Sequence, residues 1–195
     1  RRPDHRRTDR RANARKGATM TTTTSSKHTI TALVQDKPGV LNRISSMFRR
    51  RGFNIASLAV GQSEIPNLSR MTFVVEGDDS IVEQATKQLY KLIDVVRVNK
   101  LSSTDSVSRE MALIKVKSTV QTRSEIMQMV EIFKANIVDV SPDSMIVEVT
   151  GDQEKIDSFQ NLLEPFGVKE VMRTGRVAMN KGPSSSYGLD KGSKV

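Results

Sequence analysis

The sequence predicts an α+β protein made of two tandem βαββαβ units, each an antiparallel sheet with its helices on one face. Three observations carry this. Short runs that alternate apolar and polar residues interleave with stretches whose apolar residues recur every three or four positions, in the same order twice along 195 residues. Both halves mark their second helix alike: Gly77-Asp78 and Gly151-Asp152 each follow a β-branched strand, and a leucine (Leu89, Leu163) lies twelve residues past each glycine. Phe48 precedes the turn Gly52-Phe53-Asn54-Ile55 as Phe133 precedes Ala135-Asn136-Ile137.

Element by element, the first unit spans 27–101. Its first strand, 28–35, sets Ile30, Ala32 and Val34 against Thr29, Thr31 and Gln35, the period of a half-buried strand. Helix 40–51 follows, with Val40, Leu41, Ile44, Met47 and Phe48 forming one apolar stripe. Strands 54–62 and 70–76 come next, then helix 80–92 on the stripe Ile81, Ala85, Leu89 and Leu92, and strand 95–101. The second unit, 110–177, repeats the order as strand 111–116, helix 123–135, strands 137–140 and 145–150, helix 153–164 and strand 168–173. Both units read as ferredoxin-like. Segment 102–109 is polar and reads as a linker; 178–195 is rich in Gly, Ser and Lys and reads as a disordered tail, as does the basic, Thr-rich leader 1–26.

Composition narrows the function. A chain of 195 residues suits two domains of about 100 residues. The absence of Cys excludes disulfides, thiolate metal sites and Cys nucleophiles, and fits a reducing compartment. No apolar run reaches the roughly 18–20 residues of a membrane span, and the basic start leads into Thr rather than an apolar signal core. A soluble, cytoplasmic protein is expected. Of the net charge of +9, residues 1–19 contribute +6. Met20 directly precedes TTTTSS and reads as a natural start, with the Arg-rich stretch an added or upstream-translated extension. Phosphates attract Arg clusters, but this one has no interleaved aromatics and no reading helix behind it, so no nucleic-acid partner is expected.

The run from Asp36 to Ile55, DKPGVLNRISSMFRRRGFNI, is the most informative stretch. Asp36 reads as an N-cap, Pro38 fits a first helical turn, and Gly39 lets a ligand or a neighbouring chain approach the backbone. The helix start then offers free N–H groups and a positive dipole end to a carboxylate, with Lys37, Val40 and Leu41 beside it. Asn54, followed by Ile55, opens the next strand; its amide can donate to a carboxylate and accept from an ammonium. Asn54 is expected to return to the same end of the sheet as the turn, giving a grip for a free amino acid. The same residues also read as ordinary turn chemistry. Arg43, Arg49, Arg50 and Arg51 read as the solvated end of the first helix, and Met127, Met129 and Met145 as core filling.

No catalytic constellation accompanies this turn. His5 lies in the leader and His28 in a strand, neither with Ser and Asp partners, and no His/Asp/Glu cluster has metal-ligand spacing. Gly175, Gly182, Gly188 and Gly192 are too scattered for a phosphate loop. An acylphosphatase would need an Arg-bearing anion loop where this chain has Asp36-Lys37-Pro38-Gly39.

The phrases DKPGVLNRISSMFRRRGFNIASLAV, PNLSRMTFVVEGD, QLYKLIDVVRV and SREMALIKV, in that order and spacing, resemble the regulatory (small) subunit of acetolactate synthase, or acetohydroxyacid synthase. The likeness spans 27–177 and implies an N-terminal ACT domain followed by a second ferredoxin-like domain. It further implies a subunit without chemistry of its own, which activates a large catalytic subunit and makes it sensitive to valine. That subunit would hold thiamine diphosphate, Mg²⁺ and FAD; this chain would bind no cofactor. The resemblance also implies a homodimer through the ACT domains, with the effector held between the helix-start turn of one copy (Asp36, Lys37, Pro38, Gly39, Val40, Leu41) and the Asn54–Ile55 strand of the other. The chain departs from the family at Asp36, where better-understood members have Asn. An ionised aspartate only accepts hydrogen bonds, so it would hold an ammonium and repel a carboxylate. Two other classes share this architecture: an amino-acid-responsive transcription regulator, which needs about 60 residues for a helix-turn-helix, and an assembly module without an effector.

Overall fold

A computed structural model describes residues 26–182. The disorder expected of the leader and of 183–195 lies outside these residues. The first unit folds as β1 (Ser26–Gln35), α1 (Val40–Arg50), β2 (Asn54–Gln62), β3 (Leu68–Gly77), α2 (Asp79–Leu89) and β4 (Val95–Leu101). The second adds β5 (Ser106–Lys117), α3 (Arg123–Ile132), β6 (Asn136–Val140), β7 (Ser144–Gly151), α4 (Gln153–Leu163), a 3-10 turn (Glu164–Phe166), β8 (Val168–Arg173) and β9 (Val177–Asn180). The sheets run β2-β3-β1-β4 and β6-β7-β5-β8. Both are antiparallel and both follow the ferredoxin-like order.

Alternation decides what each sheet buries. Ile30, Ala32 and Val34 meet Phe73 and Met71 on the helical side, against Ile44 and Phe48 of α1 and Val82, Ala85 and Leu89 of α2. The second core repeats this with Ala112, Ile114 and Val116 against Ile126, Ile156, Phe159 and Leu163. Phe48 stacks on Phe73 at 5.3 Å, and Phe133 lies 5.0 Å from Phe159. Of the three methionines expected in the core, Met145 is buried and Met129 packs against it, whereas Met127 is exposed. Met127 falls outside the narrow stripe that α3 buries, Ile126 and Val130.

The Gly-Asp repeat marks two helix caps. Asp78 accepts from the Ile81 amide at 2.9 Å and Asp152 from the Lys155 amide at 2.8 Å, each satisfying a first-turn N–H. Asp78→Ala and Asp152→Ala should therefore each cost about 1 kcal/mol. Urea denaturation of the two variants measures this; no loss in either would refute the repeat as a capping device.

Two boundaries differ from expectation. The second half of the expected linker 102–109 belongs to β5, whose residues Ser106, Val107, Ser108 and Arg109 pair with β9. The tail likewise starts later than 178, because Ala178, Met179 and Asn180 form part of β9. The physical reason lies on the helix-free face of the first sheet. There Thr31, Leu33, Thr72, Val74 and Leu101 are all buried, and β9 lies against β1 and β4. A four-residue strand pair supplies the cover, too short to announce itself by period.

Candidate effector site

The turn after β1 is held by backbone. The Gln35 amide donates to the Asp94 carbonyl at 2.8 Å, and the Asp36 amide to that of Asn67 at 2.8 Å. Lys37 donates to Gln35, and Val40 to Lys37 at 3.4 Å. Asp36 is not the N-cap: that position is Gly39, in the left-handed region at φ +85°, with no side-chain cap. Asp36 stands four residues ahead of the helix and is exposed, so its carboxylate does not spend the first-turn donors. The Gly39, Leu41 and Asn42 amides make no backbone hydrogen bond among the described residues. Those unspent donors, at the positive end of α1, are what a carboxylate needs.

The expected residues divide by exposure. Asp36, Lys37, Pro38, Gly39 and Leu41 face outward, while Val40 is buried and offers no side chain to a ligand. Ile55 packs on the first core. Asn54 is exposed, and its amide donates to Glu76 Oε2 at 2.6 Å.

Asn54 does not lie beside the turn of its own chain. It pairs with Glu76, which also faces Lys27 at the start of β1, whereas Gln35 and Gln62 meet Leu68 and Ser69 at the other end of β3. Eight residues of strand, about 27 Å, separate the two. The cause is the crossover: β1 and β2 both run antiparallel to β3, so α1 carries the chain back before β2 begins. The expectation that one chain returns Asn54 to the turn is therefore wrong.

Sequence reasoning missed two neighbours of the turn. Arg43 is not at the solvated end of α1. It lies one turn past Gly39, with Nε donating to Asp94 Oδ2 at 2.7 Å. A Cβ at Gly39 would lie 3.6 Å from Arg43 Nη1. The i,i+4 spacing was a readable signal; Asp94, distant in sequence and nearly buried, offered none. A guanidinium thus faces the unspent amides. Cavities of about 360 Å³ lie between the two domains, not at this turn, which is open on one side.

A duplicated ferredoxin-like fold, whose first copy has an open helix-start turn and a bare edge strand at β2, defines the class: a regulatory protein built on ACT-type domains. The comparisons agree. Residues 30–97 match the family described as AHAS small subunit-like ACT domain, and residues 109–182 match the small subunit of acetolactate synthase. A probable acetolactate synthase small subunit of Archaeoglobus fulgidus is 54% identical over 156 residues, 80% of this chain and 98% of that protein. The acetolactate synthase small subunit of Mycobacterium bovis is 49% identical over 80% of this chain and 93% of its own length. The crystal structure of the small subunit from Thermotoga maritima superposes with a TM-score of 0.77 at 47% identity, covering 81% of this chain and 99% of that one. The chain belongs to the acetolactate synthase small-subunit family. Its role is regulatory, and the reaction belongs to the large subunit.

Among the described residues, no helix is long and apolar enough to cross a membrane, and no three His, Asp or Glu side chains cluster as metal ligands.

Proposed function

We propose that this chain binds the large catalytic subunit of acetolactate synthase, raises its activity, and makes it answer to valine bound between the ACT domains of two copies. One observation carries the two-copy reading: the turn and Asn54 lie at opposite ends of one sheet whose β2 edge is unpaired. If β2 of one copy pairs antiparallel with β2 of another about a two-fold axis, Asn54 of each falls beside Gln62 of the other. That is the end where the partner's turn 36–39 presents its amides. The effector carboxylate would rest on the Gly39 and Leu41 amides near Arg43, and its ammonium on Asp36 and the partner's Asn54.

Valine has about eight heavy atoms, so a dissociation constant from micromolar to millimolar, roughly −8 to −4 kcal/mol, suits it and suits a feedback signal. A coupling of about 1–3 kcal/mol to the large subunit would be enough. Thiamine diphosphate, Mg²⁺ and FAD would all reside on the large subunit, and the complex would work in the cytoplasm.

The test is acetolactate formation by the large subunit of the same organism, titrated with this chain, with and without valine. Stimulation that valine then suppresses supports the whole reading. Stimulation indifferent to valine keeps the partner and rejects the effector, pointing to Asp36. No stimulation rejects the activating role.

A further inference from the structure

A second cleft lies where the two domains meet. A cavity of about 530 Å³ is walled by Lys27, His28 and Lys100 from the first domain and Arg176 from the segment between β8 and β9. Thr29, Leu101 and serines between 102 and 108 complete its wall, and no carboxylate is among the lining residues. Lys27 and Arg176 also line the neighbouring cavity of about 360 Å³, whose wall includes the carboxylate Glu110 alongside Arg173.

The charges of this cleft do not cancel. Lys100 donates to Asp79 at 2.6 Å, drawing that carboxyl below its usual range, and His28 lies 3.9 Å from the same Asp79. Arg173 donates to Asp157 at 2.7 Å and has Glu110 at 3.8 Å. Among the described residues, Arg176 has neutral acceptors only: Nη1 donates to Thr29 Oγ1 and Nη2 to Gln153 Oε1, each at 3.2 Å. It is partly buried, and two of its five guanidinium N–H groups are thereby engaged. A guanidinium held between two domains with no acid bonded to it among the described residues suits an oxyanion, since charge-assisted bonds to such a group are among the strongest available.

The backbone fixes this cation in place. The Arg176 amide donates to Ser57 Oγ at 2.9 Å. Gly175, at φ +78°, lies so close to β2 that a Cβ there would sit 2.7 Å from Ser57 Oγ and 3.2 Å from the Leu58 carbonyl oxygen. Only glycine fits that approach. Arg176 therefore reaches the cleft from a pinned main chain, with its side chain anchored on β1 and on the start of α4.

We propose that the interdomain cleft binds a small oxyanion, a phosphate or carboxylate group, on Arg176 and Lys27, distinct from the turn at Gly39. An anion there touches both domains at once and ties them together when bound.

Isothermal titration calorimetry of the full chain tests this, with inorganic phosphate and with malonate, at ionic strength held constant by chloride. Saturable binding is expected, weakened at least about tenfold in Arg176→Ala and partly restored in Arg176→Lys. Arg49→Gln removes a charge from the exposed end of α1 and should leave binding unchanged. Should Arg176→Ala not fold, Lys27→Gln, at an exposed position, carries the same test with the same direction. Binding of phosphate alone identifies a phosphoryl ligand, binding of malonate alone an organic acid, and binding of both the shared chemistry. Failure of both anions to bind saturably, or equal loss in Arg49→Gln and Arg176→Ala, overturns the site.

Discussion

Gly39→Asp should abolish valine inhibition of the assembled enzyme while leaving stimulation by the subunit in place. A carboxylate at this position would stand beside the unspent amides of α1, where the proposed function seats the effector's carboxylate. Two such charges about 4 Å apart repel by about 4 kcal/mol at an effective dielectric of 20, close to a thousandfold in affinity. The fold has room for the side chain, because a Cβ at Gly39 meets only Arg43 Nη1, at 3.6 Å. It does bear the cost of φ +85°, about 1–2 kcal/mol for a residue with a side chain. Gly39→Ala separates the two effects, since it carries the strain without the charge and should keep most of the inhibition. The measurement is acetolactate formation against valine for the three proteins. An unchanged half-inhibition point in Gly39→Asp would remove the turn from the site.

Phe73→Ala carries the largest expected loss of stability. Phe73 sits at the middle of β3 with 0% exposure, opposite Ile30 on one side and Leu58 on the other. Its ring stacks on Phe48 of α1 with 20° between planes. Truncation leaves a ring-sized void under the sheet and costs about 3–5 kcal/mol, with about 1 kcal/mol of that from the lost ring pair. Against a total stability of about 5–15 kcal/mol, such a change threatens the whole first domain. Urea unfolding measures it; a loss below about 1 kcal/mol would mean the site collapses freely. Phe73→Leu fills part of the volume and should recover most of the loss. Phe159→Ala is the counterpart in the second domain, where Phe133 is the ring partner.

Much of the architecture could be read directly. Strands 54–62 and 95–101 fall at their expected bounds. Strand 28–35, argued from its alternation, lies within β1, because a half-buried strand writes a period of two into the chain. The paired Gly-Asp signals led to real caps, since a cap is a local device whose donor lies three residues away. The failures share a different cause. Asp36 looked like a cap because its residue type is right, but the positive φ of Gly39 starts the helix later and leaves Asp36 outside it. The Arg43–Asp94 pair joins residues 51 positions apart, and no local pattern foretells it. The end of the sheet at which Asn54 emerges was in principle available, because a strand reached through one crossover helix runs parallel to the strand before it. Of the candidate site, the turn is exposed as expected, and Asn54 lies at the opposite end of the sheet from it. The ribbon of β5 with β9 gave no clear signal because it pairs only four residues on each strand, at the lower limit of a period test, inside segments whose polar composition reads as linker and tail.

β5 is a single strand of twelve residues with two employers. Its first third, paired with β9, roofs the first sheet; the remainder is the spine of the second, bonded to β7 and β8. Such a strand behaves as a beam about 40 Å long. A stiff beam cannot be tilted at one end alone, and a tilt of about 5° over that length shifts the far end by about 3.5 Å. A ligand that reshapes the roof of the first domain would therefore act on a strand that the second domain uses as its own spine.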